Sequence, residues 1–548
     1  MSPSLFNAAA AGSVRANLRV LRRARGRVGS ASTSTGVWLV GEIEAPWGIL
    51  RERSASQSHT RRFRRREASR YTARSSPSTS KSEPDSESTS KSNSKSGHRE
   101  RSWWQTPHFV FTAKMSGAGG AGIVAAAAAA AMYVVVSTPA VAGARPEDAD
   151  AKAHHLEDGK GFINPWDSFR DFVGWKMGLR LLWRKLSGQM KKVDTTPPTV
   201  PVVTPTFRSP RAGGKLRATW LGHACYYVEF PSGLRVLFDP VFEACCAPVN
   251  LKTFERFTPP PCEIEDLPAV DLVVISHNHY DHLSYPTIKR IQKAFPKAHF
   301  FAPLGNKRWF VDSGVQQSQV TELDWWEERD VRLSPTSHAD IDTKERTPDA
   351  VPTNETSPDG TPAMPSDADI TATISALPCQ HVSARGPFDK CKTLWASWSL
   401  ASAGATVYFA GDTGYRSVPE STPEGDDGYG PGYAALPVCP AFAHIGRHRG
   451  PFDLGFIPIG AYEPRWVMSP MHANPQDSVA IFVDTRCVRA LGMHWGTWVL
   501  TEEDVMEPPR KLGEALRARG LSGDAFGVVD IGESREFESG GDARGVEM

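Results

Sequence analysis

Cysteine chemistry is scarce in this chain. Its eight cysteines include no CxxC pair, and eight thiols spread over 548 residues do not make a disulfide framework. Free thiols in a reducing compartment are expected. Internal repeats at a solenoid period are also missing, which excludes a stacked-repeat architecture. Acid is short at one end. Residues 1–115 carry 21 Lys and Arg against 8 Asp and Glu, a net +13, while the whole chain is only +2, so the remainder is −11. The basic excess therefore says nothing about nucleic-acid binding by a folded domain. A chain of 548 residues allows one large domain with extras, or two to three domains.

Residues 1–41 contain six arginines and no acid. In "SVRANLRVLRRARGRV", Leu18, Val20 and Leu21 can gather on a helix with arginines around them. An Arg-rich, acid-free start containing Ser and Ala resembles a mitochondrial transit peptide; a disordered basic tail is the alternative. Residues 51–102, with "RRFRRREASR" and "STSKSNSKSG", have too little apolar content for a core and are expected to be disordered.

Charge then disappears. Residues 115–144 have no charged side chain and are long enough to cross a bilayer at about 1.5 Å per residue. Alanine and glycine dominate the stretch, so a flexible linker or a second sorting signal competes. One transmembrane segment over 116–144 is expected. The basic flank before it would leave the N-terminus in the matrix and the long C-terminal part outside it.

Residues 145–214 read as a linker around an amphipathic helix. In "GFINPWDSFRDFVGWKMGLRLLWRKLS", Phe169, Phe172, Leu179, Leu182 and Trp183 recur at roughly helical spacing. Arg170, Lys176, Arg180, Arg184 and Lys185 lie between them. Such a helix lies on a membrane surface or packs its apolar face on the domain that follows. A Pro-rich run, "VDTTPPTVPVVTPTFRSP", closes the linker.

From 215 to 535, short β-like runs alternate with turns and helices. "LRATWLGHACYYVEF" and "LRVLFDPVF" read as two strands joined by "PSG". "AVDLVVIS" reads as a buried strand, "TIKRIQKAF" as a helix, and "AHFFAPL" and "QSQVTELDWWEE" as further strands. Residues 340–369, rich in Pro, Thr and Asp, look like a disordered insertion.

The chemistry gathers at "VVISHNHYDHLSY". His277, His279, Asp281 and His282 fall within six positions, directly after the apolar strand. Alternate spacing turns His277 and His279 toward one ion, and Asp281 and His282 point to a second beside it. Imidazole with carboxylate suits zinc, and iron or manganese also fit. His381 follows "ATISALPCQ", Asp412 follows "ATVYFAG" and His494 follows "VRALGM". Each stands at the C-terminal end of an expected strand, so one sheet edge can gather all seven. A lone His or Asp there is usually a turn or core residue, but four metal-type residues in six positions are not.

The HxHxDH motif, a later His, a "GDTG" Asp and a final His resemble the metallo-β-lactamase superfamily. Longer strings narrow this. "WLGHACYYVEF", "SHNHYDHLSY", "LDWWEE", "QHVSARGPFDK", "GPFDLGFIPIGAYEPRWVMSPMHANPQDSV", "MHWGTW" and "EPPRKLGEAL" resemble the N-acylphosphatidylethanolamine-hydrolysing phospholipase D family over approximately residues 160–535. The layout is similar to its mitochondrial fungal members. The resemblance implies an α/β fold, the metallo-β-lactamase αββα sandwich of two mixed sheets, in residues 215–535.

It also implies two zinc ions per chain. His277, His279 and His381 would hold one; Asp281, His282 and His494 the other; Asp412 would bridge. Asp281, Asp412 and His472 would be catalytic, with His472 of "SPMHANP" at the lipid phosphate. Tyr280 and Tyr285 would contact substrate. The implied reaction cuts N-acylphosphatidylethanolamine into N-acylethanolamine and phosphatidic acid. The implied partners are a membrane phospholipid and the membrane, with no nucleic acid and with a homodimer allowed. The expected location is a mitochondrial membrane, the inner one, with the catalytic domain on its intermembrane-space side. Trp325, Trp326 and Trp466 could line a groove or pack in the core.

Rival readings use the same ligands. Another hydrolase of this fold would take a lactone, a thioester or a different phosphodiester. A nucleic-acid hydrolase is disfavoured by the net acidity of the catalytic part and its lack of a Lys/Arg stripe. A non-catalytic scaffold would have lost ligands, and all seven are present.

Overall fold

The computed structural model describes residues 132–540, apart from 172–173, 209–210, 212–213, 249–251 and 336–368. The basic region 1–115, the start of the uncharged stretch, and nearly all of the 340–369 insertion lie outside those residues.

The chain enters as strand β1 (Met132–Ser137). Helix α1 (Gly174–Leu186) follows. Then come β2 (Leu216–Gly222), β3 (Cys225–Glu229), β4 (Arg235–Phe238), β5 (Leu272–Val274), α2 (Tyr285–Ala294), β6 (His299–Pro303), α3 (Lys307–Asp312) and β7 (Val320–Leu323). A second run holds β8 (Glu328–Pro335), β9 (Ile370–Leu377), β10 (Ser397–Ser402), β11 (Ala405–Phe409), α4 (Ala441–His448), β12 (Phe452–Pro458), α5 (Arg465–Met468), α6 (Pro475–Asp484) and β13 (Cys487–Met493). Helix α7 (Glu507–Ala518), β14 (Phe526–Gly527) and β15 (Ser534–Phe537) end it.

These strands form two mixed sheets. One has seven strands in the order β15-β2-β3-β4-β5-β6-β7, the other eight in the order β1-β8-β9-β10-β11-β12-β13-β14. Both begin antiparallel and finish parallel, the change falling at β4–β5 and at β11–β12. Central strands β3, β4, β5 and β12 are buried at every position, as strands covered on both faces must be. Between the sheets, Phe238 stacks on Phe409 with ring centres 4.7 Å apart, and Tyr226 meets Phe456 at 4.2 Å. Helices α2 and α3 cover the outer face of the seven-stranded sheet, where Ile288, Ile291 and Phe310 join Leu237, Val273 and Phe300. Helices α4, α6 and α7 supply Ile445, Ile481 and Leu512 to the core of the other. The result is the αββα sandwich. Helix starts are set locally: Ser284 accepts from Thr287 N ahead of Pro286, and Asn474 accepts from Asp477 N ahead of Pro475.

Two expectations are corrected here, and one choice between alternatives is decided. The described part of the 116–144 stretch is not a membrane helix. Met132–Ser137 is the edge strand, antiparallel to β8, with Val134 opposite Leu333 and Val136 opposite Val331. The β-branched run "VVV" suits a pleated surface, and Val134 and Val136 pack on the core. Among the described residues no helix is long and apolar enough to cross a membrane.

"LRATWLGHACYYVEF" is two strands rather than one. It breaks at Gly222 (φ +101°) and His223 (φ +51°), a left-handed pair that reverses the chain. Of the two alternatives for the tryptophans, packing in the core holds: Trp325, Trp326 and Trp466 are buried. Trp325 stacks on His154 and Trp166 and donates to Trp395 O at 2.7 Å.

Helix α1 inverts the usual amphipathic arrangement. Its arginines grip the body. Arg184 is buried, pairing with Glu502 at 2.9 Å and with Glu424, while the Arg180 guanidinium lies 3.7 Å over the Trp466 ring. Leu179, Leu182, Trp183 and Leu186, one stripe at helical spacing, are 58, 51, 60 and 78% exposed.

Candidate metal centre

All seven expected ligands meet where strand ends from both sheets converge. His277, His279, Asp281 and His282 leave the end of β5. His381 comes after β9, Asp412 after β11 and His494 after β13. In open α/β sheets the carboxyl ends of parallel strands are where ligands bind.

Two groups result. In the first, His277 Nε2 is 2.8 Å from His279 Nδ1, and His381 Nε2 is 3.3 Å from that same nitrogen. In the second, Asp281 Oδ2 lies 3.5 Å from His282 Nε2 and 3.4 Å from His494 Nε2. Asp412 Oδ2 stands between them. It is 3.9 Å from both His277 Nε2 and His381 Nε2, 3.1 Å from His282 Nε2 and 2.9 Å from His494 Nε2.

The rear of three of these rings is held. His277 Nδ1 meets Ser276 Oγ at 2.9 Å, His381 Nδ1 meets Met471 O at 2.9 Å, and His282 Nδ1 meets Asp239 Oδ2 at 2.7 Å. Asp239 also accepts from Ser276 N and Oγ. Such partners fix the tautomer and turn Nε2 forward, as in metal-ligating histidines.

The electrostatics fit cations. Burial, reinforced by neighbouring imidazoles, pushes His277 well below the usual histidine range; burial does the same to His381. Both shifts favour the neutral ring, the form in which an imidazole binds a metal. Burial alone would raise the Asp281 and Asp412 carboxyls, but His282 and the other imidazoles around them hold both well below the usual range. His494 moves the other way: burial would lower it, yet Asp412 and Asp281 lift it to about 9. Buried His282 Nε2, His494 Nε2 and Asp412 Oδ1 make no aligned hydrogen bond. Crowded neutral imidazoles, ionised carboxylates and orphaned buried atoms are what metal ions would resolve.

His472 joins them. Its ring centre is 5.2 Å from that of His381 and 5.3 Å from that of His494. Burial lowers its pKa to about 4, and its Nδ1 is buried without a partner. The loop carrying it is tied down at Pro470 O, which accepts from Gln380 Nε2 at 2.9 Å, and at Ala473 N, which donates to Thr413 O at 2.7 Å. Arg465, 1% exposed, donates to His472 O at 3.2 Å and to Asp477 at 2.6 Å.

Tyr280 and Tyr285 sit outside the ligand cluster. The Tyr280 hydroxyl donates to Arg385 O at 3.0 Å, and the Arg385 guanidinium stacks 3.9 Å over the Tyr280 ring. Tyr285 is 52% exposed and meets Trp309 edge-on. An N-terminal strap braces the centre from behind: Asn164 Nδ2 donates to His381 O at 2.7 Å, and Ser168 Oγ donates to Gln380 Oε1 at 2.6 Å.

Ligand-type reasoning missed two residues. Asp239 holds His282, and His223 lies 3.0 Å from Asp281. The available signal for His223 was Gly222 inside an apparent strand, which marks a bulge or close approach.

A family model described as "Beta-lactamase superfamily domain" matches residues 234–495. With the αββα fold and the ligand cluster, this defines the protein as a metallo-β-lactamase-fold hydrolase. The chain is 32% identical over 414 residues to N-acyl-phosphatidylethanolamine-hydrolyzing phospholipase D 1 of Caenorhabditis elegans, covering 73% of this chain and 98% of that protein. An uncharacterised protein of Mycobacterium tuberculosis is 30% identical over 382 residues, 68% of this chain and 84% of that one. The mitochondrial N-acyl-phosphatidylethanolamine-hydrolyzing phospholipase D of Saccharomyces cerevisiae is 30% identical over 322 residues, 58% of this chain and 56% of that one. The chain belongs to the N-acylphosphatidylethanolamine-hydrolysing phospholipase D family.

Proposed function

We propose that this enzyme is a zinc-dependent phospholipase D-type phosphodiesterase that hydrolyses N-acylphosphatidylethanolamine to N-acylethanolamine and phosphatidic acid. The observation that carries it is the gathering of seven ligand-type side chains around Asp412, with His472 beside them, in a chain of this family. His277, His279 and His381 would hold one zinc; Asp281, His282 and His494 the other; Asp412 would lie between the two. When bound, such a pair supplies a water acidic enough to attack at neutral pH and positive charge for the phosphoryl oxygens.

The chain's own groups do the rest. Ser276, Asp239 and the Met471 carbonyl orient the imidazoles. The neutral His472 ring, with Nδ1 free, hydrogen-bonds the phosphodiester, or takes up the proton released by the attacking water and passes it to the departing alkoxide. Arg465 fixes the loop that presents it. Tyr280 and Tyr285, with Arg385 and Trp309, offer a rim for the lipid. The outward stripe of α1 enters the acyl boundary of a bilayer and brings the centre to its substrate. A mitochondrial membrane is the proposed location, supported by the basic N-terminal region and by the name of the yeast relative.

The test supplies the lipid in detergent to the full-length chain, reads products by mass spectrometry and counts metal on the same sample. Release of N-acylethanolamine with about two zinc ions per chain is expected. Bound metal without lipid cleavage would overturn the substrate and favour a lactone, a thioester or another phosphodiester. Fractionation of tagged cells checks the location, and a tag confined to the cytosol would overturn it.

A further inference from the structure

The turn between β2 and β3 places a side chain at the centre that the HxHxDH pattern does not include. His223 is 3% exposed. Its Nε2 lies 3.0 Å from Asp281 Oδ2. Its carbonyl accepts from His494 N at 2.9 Å and from Trp220 Nε1 at 2.9 Å, and its amide donates to Thr497 Oγ1 at 2.7 Å. The His223 and His494 ring centres are 4.0 Å apart. One residue thus touches two members of the second group: its imidazole meets Asp281 and its main chain meets His494.

Asp281 needs such a hold. Its side chain is the less enclosed of the two carboxylates, 17% exposed against 1% for Asp412. His223 and His494 both sit at positive φ, +51° and +62°. Left-handed non-glycine residues persist only where the surroundings over-determine them, and here each supports the other across a main-chain hydrogen bond.

We propose that His223 is a positioning residue of the second metal site: its Nε2–H fixes the Asp281 carboxylate while its carbonyl fixes His494, so that the two present one ligand edge. This rests on the metal-centre reading above. Neither lipid specificity nor the first ligand group is involved.

The experiment counts zinc per chain in the full-length protein through a graded chelator titration. His223→Ala removes the donor. His223→Phe removes it while filling the ring's space, so a cavity is not mistaken for a lost hydrogen bond. His223→Gln can donate an amide N–H from a similar place. Outer-shell partners of metal ligands are worth about 10–100-fold in metal affinity. One of two ions should therefore leave the Ala and Phe variants at chelator concentrations about 10–100-fold lower than for the unaltered chain. The Gln variant should hold both. On the lipid, the Ala and Phe variants should lose kcat with KM unchanged.

Melting of the metal-free forms shows whether each variant folds. Ala and Phe variants that keep both ions as the unaltered chain does would overturn the proposal. A Gln variant as leaky as Ala would also overturn it, and would make the imidazole a direct ligand. An unaltered chain that binds no metal would sink the metal-centre reading itself, which the count on that sample reports separately.

Discussion

At the residue scale, charge placement decides what each group can do. Asp412 faces both ligand groups, so Asp412→Asn should release metal and lower turnover by about 10²-fold or more, read by metal count and initial rate. His472 is not in either group. His472→Gln should keep the metal content of the unaltered chain while turnover falls by about 10²–10⁴-fold, the usual range for one acid–base group. A loss of metal in that variant would place His472 among the ligands instead.

Glu463 offers a signed pH test away from the centre. Burial lifts its carboxyl to about 7, with Arg465 and Lys511 opposing and Glu503 adding to it, and its Oε1 is buried without a partner. The folded chain therefore holds a proton there that the unfolded chain gives up between about pH 4 and 7, and this group's contribution to stability falls as pH rises through that window. Glu463→Gln should stabilise the fold above pH 7, by on the order of 1–3 kcal/mol, and do little near pH 4. Parallel melts at pH 4.5 and 8 check the sign.

At the element scale, α1 and the strap do different work. Leu182→Glu with Trp183→Glu should cut vesicle binding tenfold or more, since about 1.5–3 kcal/mol accompanies each buried apolar side chain. Turnover on lipid in detergent should stay within about twofold, because Arg180 and Arg184 still seat the helix. Co-sedimentation and a micellar assay separate the two effects. Equal losses in both assays would mean that the stripe serves the catalytic fold instead.

Elements also show where sequence reasoning reaches and where it stops. His277, His279, Asp281 and His282 were legible because residue type and spacing carry their meaning, and the strand ends before His381, Asp412 and His494 followed from short β-branched runs. His223 and Asp239 were not, because what recruits them is a two-residue reversal inside "LGHA" and the way it folds back on "LFDP". β1 was hidden by composition: an uncharged run of Ala, Gly and Val suits a lipid core and a sheet edge equally well. The facing of α1 was undecidable from periodicity, which places arginines and leucines on opposite sides without saying which side is inward.

At the scale of the whole molecule, the centre draws its candidate ligands from both sheets. Residues after β5 belong to the seven-stranded sheet, and those after β9, β11 and β13 to the eight-stranded one. A bound ion pair would therefore cross-link the halves of the sandwich. Chelation should lower the melting temperature by several degrees, with recovery on adding zinc, because a ligand held only by the native state stabilises by about 2.7 kcal/mol at one hundred times its Kd. A calorimetric scan with and without chelator measures it. An unchanged melt would mean that the interface of Phe238, Phe409, Tyr226 and Phe456 holds the sheets together unaided.

The inverted helix also governs how this protein behaves in a tube. With no bilayer present, Leu179, Leu182, Trp183 and Leu186 have, among the described residues, only water or one another for company. Two molecules can satisfy both stripes by meeting face to face, hiding the same side chains that a lipid would. Aggregate size should then climb with protein concentration in plain buffer and collapse to single particles once vesicles are added, and a size that vesicles reverse in this way would report the missing membrane rather than a native assembly.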